Sequence, residues 1–104
     1  MHCTITTTTT RGEPIEAARI VGDEMTGWLR DLEGFEGFLL LVQDKKALGL
    51  AFWASREIAE RYATTRAEFR ERMLAIAGAD IQGVEEYELA FASLGAGLIA
   101  AGAG

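Results

Sequence analysis

The chain has 104 residues, enough for one small domain and too few for two independent cores. Hydrophobic residues make up 49% and charged residues 25%, a globular balance that excludes disorder over most of the chain, and the 12 glycines lack the triplet period of a collagen-like rod. Ten Lys plus Arg against 16 Asp plus Glu give a net charge of -6, which repels phosphate backbones and anionic bilayers and argues against nucleic-acid or membrane partners.

Cys3 to Thr10 is nearly all threonine around Ile5, and β-branched side chains suit a strand, which Arg11-Gly12 closes. Pro14 fits a first helical position. Ile15, Ala18, Val21, Met25, Trp28, Leu29 and Leu32 then recur at steps of three and four, one apolar helical stripe that Gly34 is expected to cap. Phe38 to Val42 and Ala47 to Trp53 are apolar runs of strand length around the polar Gln43-Asp44-Lys45-Lys46, a β-hairpin pattern. Neither run alternates, so both faces of these strands are expected to be covered. Ser55 is a good N-cap for a helix lining up Ile58, Tyr62, Thr65, Phe69, Met73 and Ile76 and ending at Gly78. Arg56/Glu60, Glu57/Arg61 and Glu68/Arg72 are pairs four apart that support its outer surface. Val84 to Phe91 alternates, with Tyr87, Leu89 and Phe91 on one side and Glu86 and Glu88 on the other, as in a half-buried edge strand.

The order is β-α-β-β-α-β, an α+β class with the ferredoxin-like arrangement: four antiparallel strands backed by two helices on one face. Residues 1–94 form the expected single domain, and 95–104 are an Ala/Gly-rich tail with no predicted element. Two helices cover one sheet face only. The other, apolar along the hairpin, is expected to meet a second copy of the chain, so a homodimer through the sheet face is predicted. Cys3 stands alone, which rules out an internal disulfide and clustered cysteine ligands. The first residues lack the apolar run of a signal peptide and Leu94 to Ala101 is too short to span a bilayer, so a reduced, cytoplasmic setting is expected.

Gly34-Phe35-Glu36-Gly37-Phe38, the buried strand and polar turn that follow, Phe52-Trp53-Ala54-Ser55 leading into a charged helix, and Val84-Glu85-Glu86-Tyr87-Glu88-Leu89 together resemble the dimeric α+β barrel superfamily. Within it the pattern is most similar to the antibiotic-biosynthesis-monooxygenase-like family. The likeness runs over roughly Gly34 to Phe91. It implies a two-fold dimer whose sheets form a barrel, with a pocket between sheet and helices. The superfamily includes cofactor-independent oxygenases, haem-degrading enzymes and isomerases. The haem-degrading branch uses an Asn, a Trp and a helical His; this chain has no Asn, and its one histidine is His2. No adequate ligand set for a metal or haem exists in the sequence, so no cofactor is expected. Trp53 matches the tryptophan of the cofactor-free oxygenases, with Tyr62 and Arg66 as substitutes for their polar groups.

Trp53 can stack on a planar ligand or simply fill the core. Tyr62 and Arg66, four apart, can hold an acidic or phenolic compound, or serve as a core ring and a surface cation. Trp53 and Tyr62 are expected to lie close together. Met25 and Trp28 share a face of the first helix, as a ligand wall or as core. Cys3 is expected to be an idle buried thiol, His2 solvated at the chain end, and Glu85, Glu86 and Glu88 a solvated strand edge. Three function classes follow. One is a small enzyme, a cofactor-independent monooxygenase or isomerase acting on an aromatic or polyketide-like compound. The others are a non-catalytic module binding a small hydrophobic ligand, and a dimerisation domain.

Overall fold

The computed structural model describes residues 1–99. In chain order it has β1 (His2–Thr10), α1 (Pro14–Leu29), β2 (Phe35–Gln43), β3 (Lys46–Trp53), α2 (Arg56–Arg61), α3 (Ala63–Ala77), β4 (Ala79–Glu88) and the single turn α4 (Ala96–Ile99). The strands form one antiparallel sheet in the order β2-β3-β1-β4. This is the predicted ferredoxin-like layout. The threonine strand lies at its centre, paired on both sides, with Thr4, Thr8 and Thr10 buried under the helices.

α1 packs over β2 and β3, and α3 packs against α1 and β4. Val21, Met25, Leu29, Trp53, Ala59 and Met73 are the buried core, flanked by Trp28, Phe35, Phe38, Leu40 and Phe69. Phe38 and Leu40 point at the helices, since Leu40 approaches Gly22 of α1. Strand alternation then sends Leu39 and Leu41 to the opposite face with their partners Leu50 and Leu48 and with Ile5. The hairpin is apolar on both faces, as its sequence predicts.

Several boundaries differ from expectation. α1 stops at Leu29; Leu32 still reaches the core, but from the turn that follows. Gly34 serves that turn instead of capping the helix, at φ 84°, where an added Cβ would lie 2.7 Å from two Ile58 side-chain atoms. The predicted second helix is two, broken at Tyr62 (φ -97°, ψ 21°). Ser55 caps α2 as expected, accepting from the Ile58 amide, and Gly78 closes α3 in the left-handed region at φ 60°. Ile15 and Ile76, placed on the apolar stripes, are exposed. β4 runs from Ala79 to Glu88, earlier than predicted, so Leu89 and Phe91 lie beyond it; Phe91 is exposed. It is an edge strand, and within it only Ala79 is buried. Residues 96–99 form a helical turn where no element was predicted; the rest of the tail is outside the described residues.

Candidate functional site

Between the helices and the sheet lies a cleft enclosing about 440 Å³ of empty space with its mouth counted, of which about 40 Å³ can hold the centres of water-sized molecules. Its floor is Thr4 and Thr6 of β1, Phe38 of β2, and Gly49, Ala51 and Trp53 of β3. Met25 and Leu29 come from α1, and Arg66, Phe69, Arg70 and Met73 from α3. Gly49 leaves this floor open: a Cβ there would meet Leu40 and Phe38 only at 3.5 Å. The small residue makes the hollow.

Trp53 is fully buried. The Phe35 ring meets it edge-on at 5.5 Å and Tyr62 lies 5.8 Å from it, so the expected closeness of Trp53 and Tyr62 is seen. Trp53, Arg66 and Met25 line the cleft, whereas Tyr62 and Trp28 stand behind it. Trp28 stacks on Phe69 at 5.2 Å and carries the Arg72 guanidinium over its ring at 5.0 Å, which fixes one wall. Phe69, Met73, Gly49 and Arg70 were not singled out as site residues. A glycine inside an apolar strand and a second arginine one turn after Arg66 are the signals that point to them.

Two side-chain nitrogens among the described residues are shut from solvent without a hydrogen-bond partner: Trp53 Nε1 and Arg66 Nε. Both belong to cleft residues. A buried unpaired donor costs about 1–3 kcal/mol, so such groups call for an acceptor. Burial pulls the Arg66 guanidinium below its usual value; Glu86 opposes this, Arg70 adds to it, and Glu60 opposes it. The lining contains no carboxylate and no histidine. The cleft can donate hydrogen bonds and present positive charge, but holds no ready general base.

Around the chain start, a wider, shallow groove of about 900 Å³ is lined by Met1, His2, Ser55, Arg56, Glu86 and Tyr87 among others. His2 is buried there, contrary to the solvated end expected of it, because β1 begins at His2 and is flanked by both Trp53 and Glu88. Its Nε2 donates to Glu86 Oε1 at 3.0 Å, and this bond holds the Glu86 carboxyl below the usual carboxylate range. Cys3 is buried, and burial pushes its thiol up, which suits an unreactive group. Among the described residues no group of three or more His, Cys, Asp or Glu could hold a metal ion, and no helix is long and apolar enough to cross a membrane.

The sequence matches no protein-family model and has no significant match among curated proteins. Solved structures do share its fold. SnoaB, a cofactor-independent oxygenase from Streptomyces nogalater, superposes with a TM-score of 0.65 at 17% identity, covering 88% of this chain and 94% of its own. Rv0793 from Mycobacterium tuberculosis gives 0.61 at 18% identity, over 88% and 98%. A protein described as an antibiotic biosynthesis monooxygenase gives 0.60 at 16%, over 86% and 98%. Identities this low establish the shared ferredoxin-like fold alone.

Proposed function

We propose that the cleft beneath α1 and α3 binds a small planar aromatic compound, and that the protein is a cofactor-independent, monooxygenase-like enzyme. The observation that carries this is the fully buried Trp53, whose Nε1 has no partner and whose ring lines an otherwise apolar cleft. Met25, Phe38, Phe69 and Met73 would hold the ring by contact, while Trp53 Nε1 and Arg66 would donate hydrogen bonds to its oxygen. Donors aimed at an oxygen stabilise negative charge on a substrate that itself gives electrons to dioxygen. The lining holds no base, so the proton that the substrate gives up would pass to the reduced dioxygen or to water. An isomerase, which must move a proton, is less well served by this lining. The structural likeness to SnoaB supports the oxygenase class.

A second reading, a non-catalytic carrier of a small hydrophobic ligand, is favoured by the same absence of a base. Oxygen uptake during incubation with hydroxylated one- and two-ring aromatics separates the two. An oxygenase consumes oxygen with at least one of them, and Trp53→Phe, which keeps the ring but loses the N–H, slows it by about 10- to 100-fold. Saturable binding without oxygen uptake supports the carrier. Absence of binding across the set overturns both.

We also propose that the apolar outer face of the sheet joins two copies of the chain. Leu39, Leu41, Leu48, Leu50 and Ile5 converge there, and no described helix covers them.

A further inference from the structure

We propose that the ligand of the cleft is an anion, an aromatic carboxylate, whose two oxygens are taken by Trp53 Nε1 and the Arg66 guanidinium. The inference rests on the ligand-binding reading of the cleft and sharpens it. Indole and guanidinium are donors only, so two unpaired donor nitrogens can be satisfied together only by a group that brings acceptors and no competing donors. A carboxylate does this; a neutral alcohol or amide carries its own N–H or O–H and does so less well.

Charge points the same way. Arg66 and Arg70 sit one turn apart on α3, both line the cleft, and neither forms a salt bridge among the described residues. They repel one another, and burial disfavours the Arg66 cation further. Glu86 and Glu60 favour the Arg66 cation, but neither pairs with it in a salt bridge. In a chain of net charge -6, two unneutralised cations beside an apolar hollow form a local reversal of sign. An anion seated there relieves both the repulsion and the unpaired donors. The lining also holds no carboxylate to repel an anion, so the site suits a ligand that is already ionised at neutral pH. A carboxylic acid meets that condition and an ordinary phenol does not. Two single donors match the flat carboxylate better than a tetrahedral phosphate, which asks for more. The cleft is small as it stands, so half-buried side chains of its wall such as Phe69 have to give way to admit a ring while Arg66 keeps its place.

The test uses the full chain labelled with nitrogen-15, titrated with benzoate and with benzamide, its neutral counterpart of the same shape. The two tryptophans give two indole N–H signals, which Trp53→Phe assigns. Benzoate should move the Trp53 signal downfield and saturate at a concentration about tenfold or more below that for benzamide. Added salt should weaken benzoate binding alone. Arg66→Gln should bring the two affinities together, with benzoate losing about tenfold more than benzamide. Should that variant fail to fold, the wild-type pair and the salt titration decide the matter. Equal binding of both compounds, or salt-insensitive benzoate binding, overturns the anion and leaves the ligand cleft standing. No saturable shift with either overturns both.

Discussion

Gly34 carries two demands at once. Its φ of 84° lies where side chains are strained, and the space a Cβ needs is filled by Ile58, the residue whose amide Ser55 caps. Gly34→Ala should therefore cost about 2 kcal/mol or more, a fall of about 10 °C in Tm by calorimetry. A Tm within 2–3 °C of wild type, roughly half a kcal/mol, would show that the turn relaxes freely. Glu86 offers a second test. Its carboxyl is held below the ordinary range mainly by the bond from His2, so the contact stabilises the fold above the unfolded carboxylate value and is lost as pH falls through the lower, folded value. The side chain is half exposed, so the effect is modest. Glu86→Gln should lower Tm at neutral pH and by progressively less as pH falls through the lowered carboxyl value, and a loss independent of pH would contradict the mechanism.

At the scale of elements, α1 and α3 meet through one stacked pair, Trp28 on Phe69 at 5.2 Å. A double-mutant cycle with Trp28→Ala and Phe69→Ala in urea unfolding should give a coupling of about 0.5–1.5 kcal/mol; additivity would mean the rings only fill space. The type and order of the main elements are legible in the sequence because each carries a strong period: steps of three and four in the helices, apolar runs in the hairpin. The misplaced boundaries have physical causes. Leu32 keeps the helical spacing although it reaches the core from a turn. Ala79-Asp80-Ile81-Gln82 alternates, but the run is short, Gly83 parts it from Val84, and only Ala79 of the four is buried. The break at Tyr62 has no Gly or Pro to announce it; it comes from tertiary packing, where the Tyr62 ring rests on Trp53 and both Ala59 and Met73 must be buried. At the site, Trp53, Arg66 and Met25 could be picked from the chain because aromatic, cationic and apolar groups at these places suggest a cleft. That Trp53 lacks an acceptor, and that Gly49 hollows the floor, are facts of packing that no periodicity encodes.

For the molecule as a whole, helices cover one face of the sheet and, among the described residues, leave the other bare. If the bare face is the meeting surface of two copies, light scattering at micromolar concentration should give twice the chain mass. Leu41→Glu should then yield a monomer or an unfolded chain, since an unpaired charge in a buried interface costs several kcal/mol, about 3–5. Leu41 is already 51% exposed in the single chain, so the same change would be nearly harmless if no second copy binds. A folded variant of unaltered, single-chain mass would remove the dimer from consideration.

The central place of β1 also governs how the protein can be made. The first strand to leave the ribosome has both neighbours still to come: β3 more than thirty residues later and β4 some seventy residues later. The hairpin of β2 and β3 can close early by local contacts, but it then waits with apolar side chains on both faces. Only when β4 has emerged can Thr4 to Thr10 receive hydrogen bonds on their second edge, and only then does Glu86 reach His2. Completion of the sheet is thereby deferred until β4 has been made. During that interval the nascent chain is a plausible client for chaperones, and a length stalled before Ala79 should remain open to protease while one carried past Glu88 should resist it.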